Sequence, residues 1–327
     1  MASATGITET HPGDQHEIPE YETHESTTSL KERIKKHYEI ASDYYYSLWG
    51  QHIHHGYFKS PTETKEVAQV NLVEYLLEIS DLARGAKVLD VGCGLGGTSR
   101  YLAKERGCSV TGITISGRQV EIAKRLTQAE TETETQSQSQ DVFSYPSSGG
   151  GGDCRFLELD AERMLEHFSS SSDRFDAVWI SEALSHFPDK PLFFRSAFEL
   201  LASGKSSSSR LVIADWFKAP DLSPEEETAD IKPIEDGMLL PQLCTMEQYV
   251  QMAEEAGLKV RTAPIDISKD VAKTWDISWG LVSSPSLWMF AISQGRDGLA
   301  FLQAFRAMRR GYANGTFRYA IMCFEKP

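Results

Sequence analysis

The string VLDVGCGLGGTSRYLA, residues 88 to 103, constrains this chain more than any other. An apolar run that reads as a strand stops at Gly92, glycine recurs at Gly94, Gly96 and Gly97, and a helical pattern opens at about Gly97. Glycines here permit a sharp strand-to-helix turn and let the backbone approach a ligand closely. The spacing Gly92-x-Gly94-x-x-Gly97 would by itself suit a dinucleotide. That use calls for an acid about 20 positions on, at the end of the second strand, to bind a ribose diol. At that place the chain reads TGITISGRQ, without an acid.

Short apolar runs recur as AKVLDVG, CSVTGIT, CRFLELD, FDAVWIS and RLVIADWF, separated by helical patterns from about Gly97, Gly117 and Asp189. Strands of this kind joined by amphipathic helices imply a mostly parallel sheet covered on both faces, with ligands beyond the carboxyl ends of the strands. The fold class expected is α/β: a Rossmann-like, seven-stranded, mostly parallel sheet. A helical pattern at about 286 to 311 and a strand TFRYAIMCFEKP close the chain. Residues 1–29, without Lys or Arg and with little apolar periodicity, read as a disordered leader. Residues 30–84 read as an N-terminal helical cover and 85–327 as the main domain. Within it, 129–153 reads as a disordered insertion ending in a glycine run, and 218–245, acidic and Pro-containing, as a lid after the fifth strand. SGKSSSSR at 203 to 210 reads as a widened helix-to-strand turn.

A formal net charge of -14 and a pI near 5.1 argue against nucleic acid or an anionic membrane as partner, which leaves a small molecule. Five scattered cysteines, none in a CxxC pair, show neither a zinc motif nor a disulfide framework and fit a reducing, cytoplasmic setting. No window approaches the roughly 18 apolar residues of a membrane span. A soluble monomer or homodimer is expected.

Taken whole, VLDVGCGxGG with Asp90 before the first glycine resembles motif I of the class I S-adenosylmethionine-dependent methyltransferases. WGxHxHHGYF, GGTSRYLA, GITISxxQ and FDAVWxxExxxHxPDK, in that order, are similar to the tocopherol methyltransferase branch, with kin among alkaloid N-methyltransferases, sterol C-methyltransferases and cyclopropane synthases. The resemblance covers roughly 30 to 327 and makes 85–327 a methyltransferase domain. It implies S-adenosyl-L-methionine as cofactor. Its methionine and ribose portion would be wrapped by Asp90, Gly92, Cys93, Gly94, Gly96 and Gly97. Thr114, Ser116 and Gln119 would replace the missing ribose acid. Asp160 and Ala161 would meet the adenine, plain helix capping being the alternative for Asp160. Ser181 would lie beside the sulfonium, and Tyr44 and Trp49 would close over the cofactor.

Methyl transfer from a sulfonium is an in-line displacement, served by alignment and exclusion of water. A base helps when the acceptor carries a proton. Glu182 and His186, just after the fourth strand, resemble a pair that faces the acceptor in the alkaloid enzymes; structural roles are the alternative. Aromatic residues that could line a pocket are Tyr44, Tyr45, Trp49, Tyr57, Phe58, Trp216, Phe217, Trp275, Trp279, Trp288 and Phe290, favouring a flat, apolar or cationic acceptor. Asp215 either pairs with a basic acceptor nitrogen or caps the next segment. In WGQHIHHGYF, three histidines on one short segment lack a fixed carboxylate or cysteine partner, so no metal is expected. Alternation puts His52 and His54 on one face and His55 on the other, and His54 or His55 is expected to touch the acceptor. The function expected is methylation of a small aromatic or amine-containing molecule on carbon, nitrogen or oxygen. The alternatives are a cyclisation or rearrangement with the cofactor bound, or a non-catalytic binding protein.

Overall fold

Strand β1 (Lys87–Val91) sends successive side chains to opposite faces of the sheet, as strand geometry requires. Val88 joins one buried cluster with Leu72 and Leu76 of the helix Lys65–Ser80, Leu102 of the helix Gly97–Arg106, and Met308 of the helix Arg296–Asn314. Leu89 and Val91 join another with Phe193, Phe194 and Tyr249. Both faces are therefore dry, which is why the strand reads as one apolar run rather than as an alternating one. The computed structural model describes residues 27–131, 142–145, 151–169, 174–203, 209–282 and 296–327. The leader up to 26, most of the tract 132–150, residues 170–173, most of the turn at 203–210 and the segment 283–295 lie outside the described residues.

β1 pairs in parallel with β2 (Ser109–Thr114) on one side and with β5 (Ala177–Ser181) on the other. β4 (Asp153–Glu158) extends the sheet beyond β2, and β6 (Arg210–Lys218) extends it beyond β5, both in parallel. β8 (Phe317–Glu325) inserts antiparallel between β6 and β7 (Lys259–Asp266). The chain thus runs outward from β1 to one edge and returns to β5 on the other side. This topological switch opens a crevice beyond the carboxyl ends of β1 and β5.

The sheet has eight strands, not seven. The additional one, β3 (Phe143–Ser144), pairs antiparallel with the outer edge of β4. It lies inside the tract 129–153 that composition marks as unstructured. DVFSYP is the apolar break in that tract: Tyr145 is buried and its hydroxyl donates to Glu130 at 3.1 Å. The helix Gly117–Thr131 also runs into the tract, and Gly152 is in close backbone contact, where a Cβ would overlap the carbonyls of Ala103 and Cys108.

Two further pieces complete the crevice. Helix α1 (Thr27–Trp49) lies across the strand ends. Beside it, where Leu239 packs on Leu30 and Ile34 of α1, Ser223 and Glu226 form a capping box that starts a helical run. A π turn at Glu227–Ile231 continues it into Lys232–Gly237. This run packs on Arg296–Asn314 so tightly that a Cβ at Gly237 would overlap the carbonyl oxygen of Ala300. Among the described residues no helix is long and apolar enough to cross a membrane.

Candidate active site

The glycine loop follows from β1 and forms the floor of the crevice. Gly92, Gly94 and Gly96 have φ of 71°, 54° and 76°, in the left-handed region that side chains disfavour. The amides of Gly92 and Cys93 both donate to Ile113 O, at 2.9 and 3.0 Å, which pins the loop to the end of β2. The glycines do different jobs. Gly92 abuts Ala183, and Gly94 borders the cavity with its nearest side chain, Ile53, 2.9 Å from where a Cβ would stand. Gly96 stands behind the wall, on Phe156, and Gly97 lies under the carbonyl of Gln51.

One long cavity runs over this floor. Its first end is bordered by Lys31, Ile34, Thr114, Gln119, Leu159, Asp160, Ala161 and Glu162. Its middle meets Trp49, Asp90, Cys93 and Ser181; its far end meets His55, Glu182, His186, Trp216, Trp275 and Phe305. Of the residues expected at a cofactor, Gly96 and Ser116 do not border it. Ser116 instead donates its hydroxyl to Glu39 of α1 at 2.9 Å. The side chain of Tyr44 lies outside the described residues, as do those of Tyr45, Trp279, Trp288 and Phe290. Tyr57, Phe58 and Phe217 are away from the cavity, where Tyr57 packs on Tyr75 and Phe217 on Tyr249.

Polar groups are concentrated at the first end. Thr114 donates to Gln119 Oε1 at 2.6 Å. Asp160 caps the turn that follows β4, accepting from Glu162 N at 3.0 Å, and its other oxygen takes the Lys31 ammonium at 3.0 Å. Lys31 also bonds Glu162 Oε2. Lys35 pairs with Glu158 at 2.6 Å, and Glu39 accepts from Ser116. Lys31, Lys35 and Glu39 are four residues apart and so share one helix face. With these contacts α1 is strapped over the strand ends, while its Ile34 and Tyr38 border the cavity.

At the far end the sequence-adjacent Glu182 and His186 part company. Glu182 has φ of 55°, unusual for a residue with a side chain, and its carboxylate turns toward β8. It accepts the His55 amide at 2.6 Å, the His55 ring at Nδ1 at 2.9 Å and the Tyr319 hydroxyl at 2.8 Å. Burial works to raise its pKa, but the charge and hydrogen bonds of His55 bring it below the ordinary carboxylate value. His186 faces α1 instead, its Nε2 3.5 Å from the Tyr38 hydroxyl. Burial pushes the Tyr38 phenol up to about 12, so it stays neutral.

The three loop histidines do not converge. His54 Nδ1 is 2.8 Å from the carbonyl of His55, which can only accept, so this nitrogen carries the proton. Burial lowers the pKa of His54 and that of His52. Neutral His54 therefore receives at Nε2 the proton of His52 Nδ1, 3.2 Å away, and both of its ring nitrogens are spent inside the loop. His55 points the other way, into a box of Trp216, Trp275, Tyr312 and Tyr319. Among the described residues no group of three or more His, Cys, Asp or Glu side chains is placed to hold a metal.

Two aspartates, Asp90 and Asp215, are buried. Asp90 borders the cavity and accepts from Ser99 at 2.5 Å; burial pushes it up to about 6, against that hydrogen bond. Asp215 does not border it. Burial also pushes Asp215 up to about 6, and its oxygens brace the fold by accepting from Ser185 N, Trp216 N and Tyr249 Oη. Asp215 lies inside β6 and caps no following segment; its contacts tie the strand to Ser185 and Tyr249.

Several contributors were not foreseen from sequence. The four-residue spacing in α1 could have pointed to Lys31, Lys35 and Glu39. Tyr319 could not have been found that way, because it is 137 residues from Glu182 and sits in an ordinary apolar strand.

The arrangement fits an elongated S-adenosyl ligand. Gly92 and Gly94 leave the floor free of side chains, and the buried Glu162 Oε1 at the polar end has no hydrogen-bond partner among the described residues. The sequence matches the family model described as mycolic acid cyclopropane synthetase over residues 25–146 and the one described as methyltransferase domain over 89–206. It is 30% identical over 318 residues to a probable chloroplastic tocopherol O-methyltransferase of Oryza sativa subsp. japonica, covering 91% of this chain and 79% of that protein. Among solved structures it is similar to the mycolic acid cyclopropane synthase CmaA1 complexed with SAH and CTAB, with TM-score 0.71, 17% identity, and 90% and 98% of the two chains covered. The [4+2]-cyclase SpnF gives TM-score 0.67 at 20% identity over 91% and 96%. At these identities the structural likenesses speak for the fold alone.

Proposed function

The chain belongs to the class I S-adenosylmethionine-dependent methyltransferases, and on that footing we propose that it methylates an apolar, amine-bearing small molecule that carries no negative charge. Bound S-adenosylmethionine supplies an electrophilic methyl group on a sulfonium. The observation that carries the reading of the acceptor is Glu182, a carboxylate held charged by His55 and Tyr319 at the aromatic end of the cavity. An amine gains positive charge as it takes the methyl group. A fixed carboxylate and the faces of Trp216 and Trp275 favour that charge. Lys31, at the other end, is the one Lys or Arg among the described residues that border the cavity, so an anionic acceptor would find no counter-charge at the aromatic end.

In this reading Glu182 is a counter-charge, because three donors and a lowered pKa make it a poor proton acceptor. His186 takes the proton from the acceptor, with Tyr38 holding its ring from above. His55 orients Glu182, and His54 holds the loop. Asp90, Gly92, Cys93, Gly94 and Ser181 hold the methionine end; Gly96 and Gly97 shape the loop. Thr114 and Gln119 serve the ribose, with Ser116 acting through Glu39, and Trp49 closes the top. A second reading, methylation of a phenolic oxygen, draws on the relative named a tocopherol O-methyltransferase and uses His186 in the same way.

The test is incubation with a labelled methyl donor and matched amine, phenol and carboxylic acid acceptors, scored by product mass. Amines gaining one methyl group, with acids inert, is the expected outcome. Turnover of phenols alone would select the second reading, and product of unchanged mass would point to cyclisation. His186→Ala should lower turnover at least about tenfold while leaving binding of S-adenosylhomocysteine unchanged in calorimetry.

Asp90 predicts a pH dependence of binding. Its carboxyl titrates near pH 6, whereas its neighbours Ser99 and Cys93 do not, burial raising the Cys93 thiol well above its ordinary value. Below pH 6 the negative charge is lost, and with it attraction for the ligand's ammonium group. Affinity for S-adenosylhomocysteine should fall roughly tenfold between about pH 7 and pH 5, and Asp90→Asn should flatten the profile. An equally steep profile in the variant would assign the effect elsewhere.

A further inference from the structure

Lys190 is the first residue of the helix Lys190–Leu200; it is buried, and it does not border the cavity. Both its position and its burial cost stability, because a helix N-terminus repels a cation and burial strips the ammonium of water. Burial accordingly lowers the pKa of Lys190, an effect that Cys244, Asp215 and Glu235 oppose. Its ammonium donates to Ser185 O at 3.2 Å and to Phe187 O at 3.0 Å, the carbonyls on either side of His186. Asp215, equally buried, accepts from Ser185 N at 2.7 Å and is braced by the Tyr249 hydroxyl at 3.1 Å. The backbone of Ser185 therefore stands between two buried groups of opposite charge. Apolar residues in place of such a buried pair often leave stability unchanged or higher, so stability alone does not account for it.

We propose that Lys190, with Asp215 as its counter-charge across the Ser185 backbone, is a positioning residue that holds the turn Leu184–His186 and so sets the His186 ring against the acceptor. This rests on His186 being the group that takes the acceptor's proton. Neither Lys190 nor Asp215 borders the cavity, so both act through the backbone. Ser185 is gripped at its amide and its carbonyl, and Phe187 at its carbonyl. His186 lies between them and cannot shift its peptide planes without taking a hydrogen bond from a buried charge, which is strongly destabilising. The contact of its ring with Tyr38, at 3.5 Å, is too long to fix the ring by itself. A reacting group misplaced by about 1 Å can lose about a hundredfold in rate, which gives such a clamp its use.

The test is a double-mutant cycle between Lys190→Met and His186→Ala, run with the best-methylated acceptor of the amine and phenol panel. Methionine keeps the apolar stem of the side chain and removes the ammonium. Lys190→Met should lower kcat at least about tenfold while the KM for S-adenosylmethionine and the calorimetric affinity for S-adenosylhomocysteine stay within about threefold. In the His186→Ala background the same change should alter kcat by less than about twofold, because residues that act as one unit are not additive. Asp215→Asn leaves an oxygen for the Ser185 amide and removes the counter-charge; it should show the same pattern, with a kcat loss of about threefold to tenfold, and it answers the question should Lys190→Met not fold. An unchanged kcat in the folded single variants, or an equal loss with and without His186, overturns the proposal and leaves Lys190 a purely structural role. A wild-type chain that methylates no member of the panel overturns the reading of His186, and the proposal with it.

Discussion

Gly94→Leu is expected to lose at least about a hundredfold in affinity for S-adenosylhomocysteine, measured by calorimetry. Two effects add at this position. The backbone sits at φ 54°, where a side chain costs about 1–2 kcal/mol, so the melting temperature should drop by several degrees. The larger effect is steric. Gly94 borders the cavity, and even its Cβ would stand 2.9 Å from Ile53 Cδ1 before the rest of a leucine is placed. The side chain therefore displaces the Ile53 loop or fills the floor of the cavity. Gly85, at φ 75° but with nothing within 4 Å of a Cβ, is the control for backbone strain. Gly85→Leu should lose stability and keep binding. Equal binding losses in the two variants would mean that strain, not the shape of the floor, is responsible.

Glu182→Ala should lower turnover by at least about a hundredfold while changing the affinity for S-adenosylhomocysteine by less than about threefold. It removes the counter-charge and leaves the His55 amide, the His55 ring and the Tyr319 hydroxyl without their acceptor. Such unsatisfied buried groups cost about 1–3 kcal/mol each, so the melting temperature should fall too. Tyr319→Phe separates charge from packing. It removes one donor and keeps the carboxylate. Because the pKa of Glu182 is depressed in the fold, its contribution to stability is present above its ordinary titration range and lost as pH falls through the native value. With one donor gone the native pKa rises toward the ordinary value. The acidic limb of the melting-temperature profile should then shift upward in Tyr319→Phe. An unmoved limb in Tyr319→Phe would show that Tyr319 only fills space.

The placement of the site was largely legible in the sequence. Strand, glycine loop and helix are local patterns, and the crevice beyond β1 and β5 follows once the strands are counted. The additional strand was hidden because Phe143–Ser144 is two residues long inside a polar tract and pairs with a neighbour fixed elsewhere. The division of labour inside the site was less legible. Glu182 and His186 are four residues apart, yet the positive φ at Glu182 sends its side chain to β8 while His186 faces α1.

What the sequence determined by itself is the part written in short-range periodicity. Val88 and Leu89 go to opposite faces because strands alternate, Gly92 and Gly94 keep the floor clear because they lack side chains, and His52 and His54 meet because they are two residues apart on an extended loop. Only the tertiary structure decided that His55 is the histidine that grips Glu182, that Tyr319 completes the grip, and that Glu162 rather than Asp160 is left with a donor to find. Those outcomes depend on residues more than a hundred positions apart competing for the same hydrogen bonds: Lys31 with the pair at 160 and 162, His55 and Tyr319 with Glu182. Such competition is settled by distance and burial in the folded chain, and neither is encoded in any local stretch of residues.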